Sequence, residues 1–202
     1  MKWWCAVLLC LLILPTASWA SSEIYTTPDS TSGGWGWTIA DYQWEAAPVL
    51  FSDNTYFVDA ARFYMFGVSD SPSIDLWVTT DADGGGACTI PATGATKIAT
   101  ATLDYAEDWY LFDFSGSPVT MDINTTYWLE LRPTTDADEG AVEWYDGGVN
   151  AWSYGTDDTW MNDPSGGLPL KLYGWAAPGL PSFALVGAVP LLGGLLRKFR
   201  RR

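Results

Sequence analysis

Short segments with alternating apolar and polar residues dominate the middle of the chain. Seven of them are rich in β-branched and aromatic residues: RFYMFGV, IDLWVTT, TKIATATL, WYLFDFS, TYWLELR, AVEWYD and LPLKLYGW. Period-two alternation over such lengths is typical of strands. Clusters of turn-forming residues, such as SDSPS, FSGSP and NDPSGG, separate these segments, and none of the intervening sequence keeps a helical period. The pattern predicts an all-β, antiparallel β-sandwich, jelly-roll-like in connectivity, over residues 21–176.

The first twenty residues have the three parts of a secretory signal peptide. Lys2 provides the positive start, residues 6–14 are apolar, and Ser18 and Ala20 are small residues at the positions that a signal peptidase requires. We therefore predict a signal helix over residues 1–20 that is removed after Ala20. This prediction implies that the secretion machinery handles the chain.

The C-terminal segment, residues 177–202, is patterned differently. A Pro/Gly entry with Pro178 precedes an apolar stretch that starts at Pro181 and runs to residue 196. Sixteen helical residues would span about 24 Å, less than the roughly 30 Å of a bilayer core. We expect a hydrophobic helix that is short for a permanent span. The basic tail after it, which the positive-inside rule keeps in the cytoplasm, contains Arg197, Lys198, Arg200, Arg201 and Arg202.

This ending resembles the C-terminal sorting signals of the PEP-CTERM type, in which a short Pro-containing motif, a hydrophobic helix and an Arg cluster follow one another. The sequence PGLP stands where those signals have Pro-Glu-Pro. The resemblance implies that a sortase-like membrane enzyme recognises and cleaves the tail. It also implies an exported protein, at the cell surface or extracellular, that the C-terminal helix anchors transiently or permanently.

Charge is distributed unevenly along the chain. The formal net charge is −14, yet all 24 acidic residues lie between Glu23 and Asp163. Only four of the ten Lys and Arg residues lie in the predicted domain, residues 21–176. These four basic residues are Arg62, Lys97, Arg132 and Lys171. A strongly acidic domain repels nucleic acid and anionic lipid, so neither is an expected partner.

Two residue types restrict the possible chemistry. Cys88 is the one cysteine after the signal peptide, so the domain cannot form an intramolecular disulfide. The chain contains no histidine, which excludes Ser-His and Cys-His nucleophiles and His-ligated zinc. A pair of carboxylates could still hydrolyse a glycosidic bond, but abundant acidic residues alone do not indicate such a pair.

A second resemblance concerns the domain itself. The stretch DWYLFDFSGSPVTMDINTTYWLELR, residues 108–132, resembles the signature of the choice-of-anchor surface domains, and the later GGLPLKLYG resembles their closing strand. The resemblance extends loosely from about residue 30 to residue 174. It implies a β-sandwich without known catalysis, located at the cell surface.

Two Trp-rich stretches are candidates for carbohydrate binding. In the first, Trp35 and Trp37 would share one face of a strand. In the second, Trp152, Tyr154 and Trp160 stand among acidic residues in what we expect to be a loop-like stretch. Aromatic faces stack on sugar rings while carboxylates accept hydrogen bonds from sugar hydroxyls. The alternative for each Trp is packing in the sandwich core.

The pentapeptide TTDAD occurs twice, each time after an apolar segment. Its carboxylates, with the glutamate that follows the second copy, are candidate calcium ligands: Asp81, Asp83, Asp136, Asp138 and Glu139. Neither copy completes an EF-hand loop. The alternative is a pair of acidic turns in which Thr ends a strand and Asp side chains accept hydrogen bonds from nearby backbone N–H groups.

These observations together predict an exported, cell-surface or envelope-associated, non-enzymatic β-sandwich with a structural or adhesive role. A carbohydrate-binding-module-like domain is the alternative, with cell-surface or extracellular polysaccharide as its partner. A glycoside hydrolase is a remote alternative.

Overall fold

The computed structural model describes residues 21–28, 36–82, 90–143, 145–146, 148–154, 159–164 and 166–178, with only the backbone of Tyr154. Every regular element in these ranges is a β-strand. The predicted all-β, antiparallel β-sandwich is therefore confirmed. The two predicted flanking helices lie outside the described residues. Within the described ranges, no helix is long and apolar enough to cross a membrane.

Sheet A has seven strands arranged around β4. Its strands are β1 (Ser22–Thr26), β2 (Gly36–Ile39), β4 (Tyr56–Gly67), β7 (Asp108–Asp113), β8 (Val119–Met121), β10 (Gly140–Glu143) and β15 (Leu170–Ala176). Along one edge of β4 lie β15 and then β10, and along the other lie β8 and then β7. The long strand β4 thus has neighbours on both sides over most of its length.

Sheet B has six strands in the order β13-β12-β3-β9-β5-β6. These strands are β3 (Gln43–Leu50), β5 (Ser73–Thr80), β6 (Thr96–Thr102), β9 (Thr126–Pro133), β12 (Asn150–Tyr154) and β13 (Trp160–Asp163). A separate two-stranded ladder joins β11 (Tyr145–Asp146) to β14 (Gly166–Gly167). All neighbouring strands are antiparallel.

The main core lies between the two sheets. Sheet A contributes Phe63 and Phe112, whose rings meet edge to face at 5.9 Å, and sheet B contributes Leu129 and Leu131. All four side chains are buried. Because side chains alternate along a strand, the residues between these project from the outer faces of the sandwich.

A second apolar cluster, the second core, lies on the outer face of sheet B. It consists of Trp44, Ala46, Trp128, Ala151 and Trp160. Each residue is at most 9% exposed, so this part of the outer face is also buried. The predicted alternative of core packing therefore holds for Trp160.

Both TTDAD copies lie where a strand ends. In the first, β5 ends at Thr80 and Asp81 forms an isolated bridge with Pro91. In the second, β9 ends at Pro133 and a turn follows. In the first copy Thr80 ends the strand as predicted, whereas in the second copy the strand ends at Pro133, before the two Thr residues. The predicted hydrogen bonding of Asp to a nearby backbone N–H group is found in the second copy, at Asp138.

The expectation of a loop-like stretch around Trp152 is wrong. Residues Asn150–Tyr154 form β12, which pairs with both β3 and β13. Ala151 and Ser153 are buried, and the pairing with two neighbours outweighs the turn-forming residues on either side. A sequence pattern judged locally does not contain that tertiary pairing.

Candidate functional site

The outer face of sheet A is aromatic because of the alternation along β4. Ala61, Phe63 and Met65 are fully buried in the main core. The intervening Arg62 and Tyr64 therefore project to the opposite side, where they are half-buried. Two neighbouring strands place their own outward side chains beside them.

Five half-buried aromatic residues form what we term the aromatic face: Phe57, Tyr64, Trp109, Tyr173 and Trp175. Three strands contribute them, namely β4, β7 and β15. The rings of Tyr64 and Trp109 lie 5.7 Å apart, and those of Phe57 and Trp175 lie 5.8 Å apart. The ring contacts hold the side chains in place while leaving part of each accessible.

Two cations lie over rings of the aromatic face. The Arg62 guanidinium is 5.6 Å from the centroid of the Tyr173 ring, and the Lys171 ammonium is 4.0 Å from that of the Trp109 ring. Such contacts stabilise by about 0.5–1 kcal/mol at exposed sites. Two of the domain's few basic residues are thus located on this accessible face.

The aromatic face is long enough to contact several sugar rings. Trp175 pairs with Phe57, while Trp109 pairs with Tyr64 on the far edge of β4. With about 3.3 Å per residue and 4.8 Å between strands, Trp175 and Trp109 are about 25 Å apart along the sheet. Stacking on a row of rings suits a polymer better than a single small molecule.

Ionised and polar groups border the aromatic face. A hydrogen bond from the Ser115 backbone N–H, at 2.9 Å, lowers the pKa of Asp113, whose side chain is exposed. Burial raises the pKa of the Tyr64 hydroxyl, and the negative charge of Glu143 adds to the effect. Asp113 is therefore an ionised acceptor and Tyr64 a neutral donor at ordinary pH.

Among the described Trp residues that we predicted from sequence, Trp152 and Trp160 do not share a surface. Trp37 lies on β2 and packs partly buried against the main core. Trp152 pairs with Met161, whereas Trp160 pairs with the adjacent Ser153, so the two Trp side chains project from opposite faces of sheet B. Trp35 and the side chain of Tyr154 lie outside the described residues.

A buried ion pair lies beside the second core. The Arg132 guanidinium donates to Oε2 of Glu130 at 2.5 Å and lies 4.0 Å from the Trp44 ring and 4.9 Å from the Trp77 ring. Glu130 is completely buried and the Arg132 side chain is 13% exposed. The cluster is therefore better suited to stabilising sheet B than to meeting a polymer.

The acidic candidates for calcium are separated or already hydrogen-bonded. Asp81 accepts from the Trp128 indole N–H at 3.2 Å. Asp138 accepts from the backbone N–H groups of Ser73 and Thr135 at 2.8 and 2.9 Å, which matches the predicted turn bonding. Asp136 is exposed and Glu139 is half-buried.

Among the described residues, no group of three or more His, Cys, Asp or Glu side chains could hold a metal ion. Asp83 lies outside those residues. The sorting-signal residues also lie outside the described residues, except for Pro178, which is exposed two residues after the end of β15.

Sequence reasoning missed the aromatic face because its residues are far apart in the chain. Tyr64, Trp109 and Tyr173 become neighbours only through the pairing of β4 with β7 and β15. A local signal existed in β4 and β15, which alternate buried residues with aromatic or charged ones over much of their length. What the sequence does not contain is the strand order.

The fold and the site define an antiparallel β-sandwich protein with one accessible aromatic face. No protein-family model matches this chain, and no curated protein is significantly similar to it.

Proposed function

We propose that this protein is an exported, cell-surface or envelope-associated adhesive domain that binds polysaccharide through its aromatic face. The observation that carries the proposal is the row of half-buried rings from Trp175 to Trp109, with Arg62 and Lys171 over two of them. Aromatic rings contribute about 0.5–1.5 kcal/mol beyond the area that they bury. A row of them gives useful affinity for a polymer without a deep pocket.

The delivery of the domain is part of the same proposal. A signal peptide over residues 1–20 would export the chain, and the PEP-CTERM-like tail would pass it to a sortase-like membrane enzyme. The domain would then be displayed as a surface sandwich of the choice-of-anchor type. Mass spectrometry of the exported protein tests this part: an intact N-terminus or an intact basic tail would contradict it.

The proposed role is binding without catalysis. Burial raises the pKa of Glu45 well above its usual range, which is the property of a general acid in glycoside hydrolysis. Glu45 has no exposed surface, however, so its carboxyl group cannot reach a glycosidic bond in this structure. Release of reducing sugar from a bound polysaccharide by the purified protein would overturn this part of the proposal.

The binding experiment compares Trp109→Ala and Trp175→Ala with the unaltered protein on a panel of immobilised polysaccharides. Each substitution removes one stacking ring, so we expect affinity to fall about tenfold, which corresponds to about 1.4 kcal/mol. Tyr105→Ala is the matched control, because Tyr105 is 65% exposed but lies between β6 and β7, outside the aromatic face.

Two results would contradict the proposal. Folded variants with unchanged affinity would show that the polymer binds elsewhere. A protein that binds no polysaccharide of the panel would favour a purely structural role in the envelope.

A further inference from the structure

A cleft of about 260 Å³ adjoins the aromatic face and shares Tyr173 with it. Polar side chains make up most of the rest of its lining, which includes Ser21, Asp59, Arg62, Leu111 and Asp113. Such a concave site beside a flat row of rings is suited to recognising the chemistry of one unit of a polymer.

A β-bulge directs Asp59 into this cleft. Tyr173 pairs with Ala60 and Gly174 pairs with Val58, so Asp59 has no partner on β15. Bulges of this kind bend a strand and change the direction of a side chain. Asp59 is 8% exposed as a whole residue, and its Oδ1 accepts from the Ser21 hydroxyl at 2.7 Å.

Arg62 brings hydrogen-bond donors to the same cleft. Its guanidinium lies over the Tyr173 ring, and its Nε–H is buried without a hydrogen-bond partner. Arg62 belongs to neither of the ion pairs Lys97–Asp75 and Arg132–Glu130. Because that Nε–H is closed off from solvent, the terminal N–H groups of the guanidinium are the donors that a ligand in the cleft would meet.

The combination of groups selects the ligand. Asp59 and Asp113 are acceptors, whereas Arg62 is a donor only. A sugar hydroxyl can donate to a carboxylate and accept from a guanidinium at the same time. The carboxylate of an acidic sugar can accept from Arg62 but cannot donate to Asp59 or Asp113. The ammonium of an amino sugar can donate to the carboxylates but cannot accept from Arg62, so neither charged group satisfies both kinds of partner.

We propose that the cleft is a subsite for a neutral sugar residue, whose hydroxyl groups bridge the Arg62 guanidinium and the carboxylates of Asp59 and Asp113 against the Tyr173 ring. This inference rests on the proposed polysaccharide binding and specifies its ligand class. The aromatic face supplies affinity for the polymer, and the cleft supplies the preference for uncharged units.

The test measures the affinity of the purified protein for three probes: a neutral glucan, a polygalacturonate and chitosan. The unaltered protein should prefer the glucan. Arg62→Met keeps the apolar stem and removes all donors, and we expect a loss of about tenfold to a hundredfold on the glucan. Asp113→Asn should weaken glucan binding several-fold and reduce the discrimination against polygalacturonate.

Lys97→Met, on sheet B, is the matched control for the loss of one cation. Thermal melts establish whether each variant folds. If Arg62→Met does not fold, Arg62→Lys replaces it, because lysine keeps the charge but lacks the Nε donor. If Trp175→Ala weakens glucan binding but the Arg62 and Asp113 variants do not, the proposed subsite is wrong while the proposed function stands. A preference for polygalacturonate or chitosan would have the same meaning. Binding to none of the probes would overturn the proposed function with it.

Discussion

At the scale of single residues, Glu45 has the most unusual environment in the described part of the chain. It lies on the same face of β3 as Ala47 and Val49 of the main core and is completely buried. The side-chain amides of Gln43 and Asn150 donate to its two oxygens at 2.8 and 3.3 Å. Burial nevertheless raises the pKa of Glu45, and the negative charge of Asp163 raises it further.

This environment predicts how stability changes with pH. Above about pH 4.3, the unfolded chain loses the proton of this carboxyl, while the folded chain keeps it up to the raised pKa. The folded state then binds more protons, so the free energy of unfolding falls as pH rises through this window, by about 1.4 kcal/mol per pH unit. Below the unfolded pKa, the contribution of Glu45 is fully favourable.

Glu45→Gln should remove that fall, because the amide does not titrate and Asn150 can turn its unpaired Oδ1 toward the new N–H donors. Urea unfolding at several pH values measures the effect as the difference between variant and unaltered protein. We expect the variant to become the relatively more stable of the two as pH rises. A difference that stays constant from pH 4 to pH 8 would contradict the prediction.

At the scale of elements, the local pattern predicted which segments form strands far better than it predicted the order of the strands in the sheets. The segments TKIATATL and TYWLELR correspond closely to Thr96–Thr102 and Thr126–Pro133. The segment QWEAAPVL gave no signal, because two Ala, a Pro and a charged residue contradict strand preferences. It is nevertheless β3, which lies between β12 and β9. The pairing with β12 ends at Ala46, so Pro48 lies outside that pairing.

The aromatic face shows the same limit for function. Abundant Trp favours carbohydrate binding as a hypothesis, yet the Trp-rich stretches did not predict the aromatic face. Trp160 is in the second core, whereas Trp109 and Trp175, which stand apart in the chain, share the aromatic face. Which rings meet is determined by the pairing of strands that are far apart in the sequence.

The bulge in β4 depends on a glycine across the sheet. A Cβ atom at Gly174 would lie 2.1 Å from the Phe57 carbonyl oxygen and 3.0 Å from the Val58 Cα, both of them backbone atoms. The two strands approach too closely there for any side chain. This spacing accompanies the register shift that leaves Asp59 unpaired.

Gly174→Ala should therefore lower the free energy of unfolding by about 1–3 kcal/mol, as expected when an added methyl group forces backbone apart. It should also weaken polysaccharide binding, because a shifted bulge moves Asp59. Chemical denaturation measures the first effect and the affinity assay the second. Gly116→Ala is the control, with no atom within 4 Å of the added Cβ, and an equal loss in both variants would contradict the argument.

At the scale of the whole molecule, charge repulsion opposes folding. The region from Glu23 to Asp163 contains all 24 acidic residues, and two of the four basic residues near them are already in ion pairs. A net charge far from zero keeps a protein soluble but destabilises the compact state. Dissolved salt screens that repulsion.

Raising sodium chloride from about 0.1 M to about 1 M shortens the Debye length from about 10 Å to about 3 Å. We therefore expect the thermal midpoint to rise by several degrees over this range. Calorimetry measures the midpoint, and a neutral osmolyte at matched osmolality separates screening from general solute exclusion. A midpoint that is unaffected by salt, or that falls, would show that repulsion among the carboxylates is unimportant for stability.

The outer face of sheet B is buried around the second core, whereas the rings on the outer face of sheet A are accessible. Trp44, Trp128 and Trp160 are covered there, while the rings on sheet A remain accessible. If the domain is displayed on the cell surface as we propose, copies with a common orientation would all present their rings in the same direction. A single long polysaccharide could then engage many copies at once, and this multivalency would convert weak individual contacts into strong capture, with avidity exceeding single-site affinity by about 10²- to 10⁴-fold.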